Sequence, residues 1–438
     1  MNSTNPMPPL NNPMKISNHS KQISWSDLPP DLLLPIAKRL ATQPDVFSFR
    51  QVCKLWRASA PLSLLVSKNI LSPLFPHHFT IKPDMCYAPK HYIVCMNCVI
   101  LLRSNVNPEL SPFIMIVDEY RSGKLYVRRP FCARPLTCYP SFGNVNLTGD
   151  PDLPPSLDLS RFRVSELARF PTLSYLRDAN RIMQIKLYKQ KPYDYPKPRV
   201  VLFVDPNCEN CATVSDYTLV EVSQYGDLIV TRFNGESHNK FTYTSKKKGR
   251  RLVDLVNFKG KVYVIDNYHK VLSIDYHSLE PSKIVKSLKS ERMGYNKFLF
   301  VSCNELYVVS MWSTMLLPLE VKEESIDFTL FKLNEKEKKW DKLEGIGDDK
   351  ILFLTFDGSF VASTNDFPGC KGNCIIFFRS TSRNLYIKMD CRCYYEIYVF
   401  HFDGGDSGPI SSYPGYSDIV VWPPPSWLWN YSAGSSKG

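Results

Sequence analysis

The sequence predicts two units of different class, a small all-α unit near the N-terminus and a large all-β domain behind it, so the fold class is α+β by segments. Helical spacing of apolar residues is convincing only within residues 23–66 of the first third of the chain. From about residue 75 the pattern changes to short runs of β-branched and aromatic residues. The chain also has 34 prolines and only 19 glycines, which favours many strand ends and stiff loops over long helices.

Composition is that of an ordinary globular protein. Hydrophobic residues make up 44% and charged residues 22% of the 438 residues, enough for a sizeable core. The net charge of +12 is a mild bias when it is spread over the whole chain. The 13 cysteines form no regular framework, the N-terminus has no apolar signal region, and no run of about 18 apolar residues exists. We therefore expect a soluble protein of a reducing compartment, the nucleus and/or the cytoplasm.

Four segments follow from these shifts in composition. Residues 1–22 are rich in Asn, Pro and Ser and are expected to be a disordered tail. Residues 23–66 form the helical unit, residues 67–430 the β domain, and residues 431–438 a second tail.

The helical unit is predicted to contain three short helices. Prolines at 29 and 30 suit a first helical turn, and Leu32, Leu33, Ile36 and Leu40 then give one apolar face. Pro44 breaks this pattern, and a second apolar series runs from residue 47 to 56. A unit this small has too little core to be stable alone, so we expect it to complete its fold on a partner.

The β domain is predicted from strands at close, hairpin-like spacing. The stretch from His91 to Leu102 is expected to be a buried strand, and one short helix is expected near residues 164–170. The other predicted strands are Val200–Val204, Asp227–Val230, Lys261–Ile265, Leu306–Val309, Phe328–Phe331, Ile351–Leu354 and Glu396–Phe400.

A weak internal repeat indicates a β-propeller. Residues 257–276 resemble residues 302–340, since in both a turn precedes a small apolar strand and a second strand follows. One four-stranded blade per roughly 45–50 residues gives about six or seven blades, and a β-sandwich pair is the alternative.

Two sets of motifs carry a family resemblance. Residues 23–60, with Leu28-Pro29 at the start and "FRQVCKLWR" at 49–57, closely resemble an F-box. The remainder resembles the plant-specific, kelch-like domain of originally unknown function that follows an F-box in a large plant family. Its motifs are "GKVYVID" at 260–266, "DFPGCKGNCIIF" at 366–377 and "YPGYSDIVVWPPPSWLWN" at 413–430. The double glycine of each kelch blade occurs only once, as Gly404-Gly405.

The F-box resemblance implies a substrate receptor of a Skp–cullin–F-box ubiquitin ligase. It implies binding to a Skp-type adaptor, and through it to a cullin, while the β domain holds a client protein whose binding residues stay unknown. The alternatives are an F-box protein acting outside a ligase as a scaffold or regulator, and a basic propeller that binds nucleic acid. The alternative interpretation of the adaptor residues is that they form only the internal core of the helical unit. The residues implied to lie at or under the adaptor surface are Leu28, Pro29, Leu33, Ile36, Val52, Cys53 and Trp56.

Catalysis, cofactors and metals are not predicted. The chain has no GxSxG, HExxH, GxGxxG or P-loop motif, and its eight histidines are dispersed, with His269 in a hairpin. The carboxylate of Asp366 is expected to cap the tight turn that follows it. Cys95-x-x-Cys98 and Cys208-x-x-Cys211 have zinc-ligand spacing but lie more than 100 residues apart, so a buried strand explains the first pair better.

Two further segments have two interpretations each. The basic run Lys246, Lys247, Lys248, Arg250 and Arg251 is either a nuclear-import signal or a solvated hairpin tip, and the second is favoured. The segment 413–430, with Trp422, Trp427 and Trp429, is either an aromatic recognition surface or a closing segment over the last blade. The closing segment is favoured.

Overall fold

A computed structural model describes the helical unit in part and most of the β domain. The described residues are 25, 28–40, 49–50, 52–60, 77–81, 90–105, 107, 109–121, 124–128, 130–131, 162–176, 199–204, 216–223, 225–234, 237–244, 249–275, 279, 281–285, 296–313, 326–380 and 395–420. The predicted tails and the tryptophans after residue 420 therefore lie outside the described residues.

The helical unit contains α1 (Pro30–Arg39) and α2 (Lys54–Ser59). Pro30 occupies the first position of α1, where its missing N–H has no intrahelical partner. Residues 49–50 are helical as well, and most of the predicted middle helix lies outside the described residues. The buried side chains shared by these pieces are Leu33, Ala37, Phe49 and Ala60, so the core of the described helical unit is very small.

Twenty-two strands form five sheets in the described chain. The first sheet has β1 (His77–Ile81), β2 (Lys90–Ser104), β3 (Phe113–Arg121), β4 (Lys124–Arg128) and β5 (Phe162–Leu176). The second has β6 (Arg199–Val204), β7 (Asp216–Val222), β8 (Leu228–Asn234) and β9 (Ser237–Tyr243). The third has β10 (Leu252–Phe258), β11 (Lys261–Asp266), β12 (Val271–Ile274) and β13 (Pro281–Val285). The fourth has β14 (Asn296–Ser302), β15 (Glu305–Ser313), β16 (Ile326–Asn334) and β17 (Lys339–Leu343). The fifth has β18 (Lys350–Leu354), β19 (Ser359–Ser363), β20 (Cys374–Ser380), β21 (Tyr395–His401) and β22 (Ser407–Pro409).

The five sheets close into a five-bladed propeller. One strand of each sheet lies innermost, and these strands touch in the circular order β5, β6, β10, β14, β19 and back to β5. This ring confirms the propeller and excludes the sandwich, but the prediction of six or seven blades is wrong. The period of 45–50 residues fits the second and fourth blades, whereas the first extends over residues 77–176 and the fifth over 350–409.

Every strand that the sequence predicted is present, but the predicted helix at 164–170 is wrong. These residues belong to β5, which pairs with β2 from Ser104↔Phe162 to His91↔Leu176. The pairing skips Leu167, since Val99 faces Ala168 and Ile100 faces Glu166. Val164, Leu167 and Phe170 are three residues apart, as on one side of a helix, but they lie in a strand. Leu167 and Phe170 pack in the core shared with the fifth blade, and Val164 packs on the opposite face.

The internal repeat corresponds to the third and fourth blades. The β10–β11 turn at Lys259–Gly260 and the β14–β15 turn at Cys303–Asn304 each place two successive residues at positive φ, between 50° and 72°. Two positive φ values are the backbone of the tight turn that joins twisted antiparallel strands. The two segments therefore look alike because they build the same hairpin at the same place in a blade.

The first and fifth blades are joined by a shared core and by α3 (Pro414–Val420). Ile419 and Val420 of α3 are buried in the same cluster as Leu101 of β2 and Ile376 of β20. The described part of the predicted closing segment thus packs as expected. At Gly358, between β18 and β19, an added Cβ would lie 2.1 Å from the ring of Phe170, so only glycine permits this approach.

Asp366 also joins the first and fifth blades, and its predicted role as a turn cap is wrong. Its carboxylate forms an ion pair with Arg103 of β2. The local cap is Ser363, whose hydroxyl accepts a hydrogen bond from the N–H of Asn365 at 3.2 Å. The turn itself is present, because the N–H of Cys370 donates to the carbonyl of Phe367 at 3.1 Å.

His269 connects the third blade to the fourth. It lies in the β11–β12 turn at φ 61°, as the hairpin prediction required. Its Nε2 lies 2.6 Å from the Ser310 hydroxyl of β15, and its carbonyl accepts a hydrogen bond from the indole of Trp340 at 3.0 Å. Burial, with a smaller contribution from Lys297, lowers the pKa of His269 to about 3. The imidazole is therefore neutral and structural at neutral pH.

Acidification should destabilise the protein through His269. Its folded pKa lies below its unfolded value of 6.5, so the stabilisation is complete above pH 6.5 and is lost as the pH falls below it. At pH 5 the loss is about 2 kcal/mol. Urea unfolding at pH 8 and pH 5 measures this loss of unfolding free energy in the wild type and in His269→Asn. Asn is the suitable replacement because it tolerates positive φ. A wild type and a variant with identical pH dependence would contradict this assignment.

Candidate adaptor-binding surface and the centre of the propeller

The helical unit exposes an unusual share of its large apolar side chains. Leu32 and Val52 are half exposed, and Trp25 is 76% exposed. Leu34, Ile36 and Leu55 are also exposed. Leu33 and Ala37 of α1 face the core of the helical unit. Leu32 and Ile36, one helical turn apart, face solvent. Such exposure is typical of a surface that another protein covers.

The predicted adaptor residues fall into three groups by burial. Pro29, Ile36 and Val52 are exposed, while Leu28, Cys53 and Trp56 are half-buried. Leu33 is fully buried and belongs to the internal core. Sequence reasoning did not select Leu32, Leu34 or Leu55, because helical spacing shows which residues share a face and not which face stays uncovered. Assignment of the seven residues to the adaptor remains a prediction.

Trp56 and Arg50 hold the unit together beneath this surface. The Trp56 ring packs against Phe49 with centroids 4.6 Å apart, and its indole N–H donates to the carbonyl of Trp25 at 3.1 Å. Arg50 donates to the carbonyls of Ala60 and Arg57, and Arg57 donates back to the carbonyl of Arg50 at 3.2 Å. Side chains thus replace much of the core that so short a segment lacks.

The centre of the propeller contains a buried ion pair between Arg199 and Asp254. The Arg199 Nε lies 3.4 Å from an oxygen of Asp254, and both side chains are less than 10% exposed. Arg199 opens the innermost strand β6 of the second blade, and Asp254 lies on the innermost strand β10 of the third. Neither residue was singled out from the sequence.

This pair also contacts the fourth and fifth blades. Asp254 accepts hydrogen bonds from the N–H of Leu299 in β14 at 2.6 Å and from its neighbour Leu255 at 2.9 Å. The Arg199 guanidinium donates to the carbonyl of Thr355, in the β18–β19 turn, at 3.5 Å. Burial raises the pKa of Asp254, and the Arg199 charge and the two N–H groups oppose that shift. The arrangement ties four blades together.

The basic run lies between two blades, so its interpretation as a hairpin tip is wrong. β9 ends at Tyr243 in the second blade and β10 begins at Leu252 in the third, and the two strands belong to different sheets. Arg250 lies 3.4 Å from Asp266 and over the ring of Tyr268 at 5.0 Å. The main chain of Arg251 is bonded to Asn267. Lys246, Lys247 and Lys248 lie outside the described residues.

The cysteines give no metal site in the described part of the chain. Cys95 and Cys98 are both buried on β2, and their odd spacing places them on opposite faces of the strand. Cys208 and Cys211 lie outside the described residues. No cluster of three or more metal-ligating side chains occurs among the residues described. None of the helices described is both long and apolar enough to span a membrane.

The comparisons with known proteins decide the family. The KIB1-4 beta-propeller family matches residues 106–403, and the F-box-like family matches residues 25–65. The chain belongs to the KIB1-4 β-propeller family. Its β domain is therefore the plant-type domain that the motifs at 260–266 and 366–377 indicated, and its N-terminal unit is F-box-like, as residues 23–60 indicated.

Curated relatives of similar sequence come from Arabidopsis thaliana. F-box protein At2g17036 is 29% identical over 93% of this chain and 95% of its own length. F-box protein SKIP23 is 25% identical over 94% of this chain and 97% of its own length. A putative F-box/kelch-repeat protein, At5g24040, is 23% identical over 93% and 99%. The alignments thus extend over nearly the full length of this chain and of each of these relatives.

Removal of Asp254 alone should be strongly destabilising. Asp254→Ala leaves the Arg199 guanidinium buried without a counter-charge, which costs about 3–5 kcal/mol of unfolding free energy. The matched control is the exposed ion pair Lys259–Glu335, where Glu335→Ala should cost less than about 1 kcal/mol. Urea unfolding measures both. The double variant Arg199→Leu/Asp254→Leu should recover part of the loss, and equal costs for Asp254→Ala and Glu335→Ala would refute the central role.

Proposed function

We propose that this protein is the client-recruiting subunit of a Skp–cullin–F-box ubiquitin ligase. Its F-box-like segment binds a Skp-type adaptor and, through it, a cullin. Its propeller holds a client protein within reach of the charged conjugating enzyme. The observation that carries the proposal is the apolar surface of the helical unit, where more large side chains are exposed than buried.

The physical argument starts from the size of this unit. Its described core consists of Leu33, Ala37, Phe49 and Ala60, two of which are alanines and bury little area. Leu32, Ile36 and Val52 would leave water when a partner binds, and each fully buried aliphatic side chain contributes about 1.5–3 kcal/mol. Partner binding therefore supplies the hydrophobic stabilisation that the isolated segment lacks.

The mechanism on this proposal is proximity. A receptor raises the effective concentration of client lysines near the conjugating enzyme, and this requires two binding surfaces rather than a catalytic group. The most strongly perturbed histidine described, His269, is used in packing between blades, and the central Arg199–Asp254 pair is used in holding four blades. These groups fit the role of a rigid recognition scaffold.

Co-expression with a Skp-type adaptor tests the surface. Ile36→Ala/Val52→Ala should lower adaptor recovery by tenfold or more while leaving thermal unfolding nearly unchanged, because both side chains are exposed. Lys54→Ala, an exposed polar position of α2, is the matched control. Leu33→Ala is the opposite control, since it should lose about 2–5 kcal/mol of stability and lose the adaptor through unfolding.

Undiminished adaptor recovery by the folded double variant would refute this surface. Adaptor recovery without a cullin, or without ubiquitin transfer to any co-purified client, would favour an F-box protein acting outside a ligase.

The same proposal places the protein in the nucleus and/or the cytoplasm. The lysines 246–248 are the candidate import signal, because Arg250 of the same run is engaged with Asp266 and Tyr268. Replacing the three lysines by alanine in a fluorescent fusion should shift the fusion toward the cytoplasm. The matched control replaces Lys336 and Lys338 of the β16–β17 turn. An unchanged distribution would remove import from the proposal.

A further inference from the structure

The outer edge of the second blade differs from the edges of its neighbours. β9 is the last strand of that sheet, and among the described strands it pairs only with β8, from Leu228↔Tyr243 to Asn234↔Ser237. An edge strand presents main-chain N–H and C=O groups along its free side, and these groups can pair with a further strand.

The other outer strands whose side chains are described carry protective features. β13 begins with Pro281 and exposes Ser282 and Lys283. β17 carries Lys339, Asp341 and Lys342, and β22 has only three residues. Proline, charge and short length all discourage pairing at an edge. β9 also carries one lysine, Lys240, but it is the longest of these four strands and has no proline, so its edge is the least protected of the four.

Two aromatic side chains mark one face of this edge. Phe241 is 56% and Tyr243 37% exposed, although both are large and apolar. They pair with Val230 and Leu228, which are buried between the second and third blades, so the two rings extend that apolar face outward. Tyr225, 77% exposed, lies in the turn before β8, at the same end of the blade as Tyr243.

Positive charge marks the other face. Lys240 is exposed and alternates with Phe241, so its side chain lies on the opposite face of β9. Its charge also opposes the rise in the pKa of Glu221 on β7 that burial causes, and the whole chain carries a net charge of +12. A ligand strand on this edge would meet aromatic rings on one side and a cation on the other.

We propose that β9 binds an extended peptide of alternating apolar and acidic residues, which adds to the second blade as a fifth strand. The apolar side chains pack on Phe241 and Tyr243, and the acidic ones approach Lys240. Main-chain hydrogen bonds supply affinity and the alternating side chains supply specificity, as in other cases of strand addition. This inference rests on the proposed function in one respect, since it takes the peptide to be a segment of the client.

A peptide fits this edge better than a single-stranded nucleic acid does. Aromatic rings and lysines serve both ligands, since bases stack on rings and phosphates attract lysines. Only a peptide, however, offers the regular N–H and C=O groups that match a free strand edge. The seven residues of β9 are also long enough for several such bonds.

The test uses the full-length chain without the adaptor and a short fluorescent peptide that alternates glutamate with valine or phenylalanine. Fluorescence anisotropy should show saturable binding that weakens as salt rises. A peptide of the same composition in non-alternating order, and the alternating peptide with N-methylated main-chain nitrogens, should each bind at least about tenfold more weakly. Equal binding of all three peptides would overturn strand addition.

Variants locate the site. Phe241→Ser/Tyr243→Ser and Lys240→Glu should each lower peptide affinity by about tenfold or more without changing thermal unfolding, because all three side chains are exposed. The matched control is Lys283→Glu, which reverses the charge of an exposed side chain on the outer strand of the third blade. This variant should bind the peptide normally. Normal peptide affinity in the Phe241→Ser/Tyr243→Ser variant would refute the site.

The same preparations separate this inference from the proposed function. Adaptor capture should be normal in the β9 variants, and peptide binding should be normal in Ile36→Ala/Val52→Ala. Failure of the wild-type chain to capture an adaptor, with peptide binding intact, would refute the ligase role and leave the peptide site standing. Tight binding of a thymine oligonucleotide, with no binding of any peptide, would overturn the inference in favour of nucleic acid.

Discussion

The architecture depends on one buried charge pair at the axis of the propeller. Arg199 and Asp254 lie on the innermost strands of adjacent blades, and they also form hydrogen bonds with main-chain groups of the fourth and fifth blades. Burial of two charges costs several kcal/mol per ion unless geometry and hydrogen bonds compensate. Here the hydrogen bonds that compensate for burial form only when β6, β10, β14 and the β18–β19 turn are all in place. An arrangement that lacks one of these four blades leaves a charge less well satisfied, so the pair favours the assembly of all four.

Burial of apolar surface closes the ring between the first and fifth blades. The first and last blades share a single core cluster, and α3 lies across both of them. Arg103 with Asp366, and Phe170 against Gly358, hold the same junction with a charge pair and a close contact. A propeller without such a junction would expose two blade faces, each a long apolar surface. The most C-terminal helix described, α3, therefore covers this junction.

The sequence predicts what depends on local pattern. Strands such as Lys261–Ile265 and Ile351–Leu354 follow from β-branched runs bounded by turns, and the repeat between the third and fourth blades follows from a shared hairpin turn. The failures share a cause. The apolar spacing around Leu167 imitates that of a helix, and the position of Arg250 between two sheets depends on which strands pair. Arg199 and Asp254 are distant in sequence, and neither residue type nor spacing reveals that they meet in the interior. At the helical unit, periodicity finds the apolar residues but cannot tell Leu33, which is buried, from Leu32, which is exposed.

The two units place their apolar residues in opposite ways, and this determines where binding can occur. In the propeller, the large aliphatic side chains described are buried or half-buried within or between blades, and none of them is among the exposed ones. In the helical unit the exposed aliphatics outnumber the buried ones, so stability and binding are coupled there. A surface that must be covered for the unit to be stable suits a constant partner, because its release would expose the same residues again. A variable client needs a surface that is stable when empty, and a strand edge on a self-sufficient blade meets that requirement. The division of the chain into a helical unit with an exposed apolar surface and a propeller with a buried one therefore fits the proposed receptor, which has one permanent and one exchangeable partner.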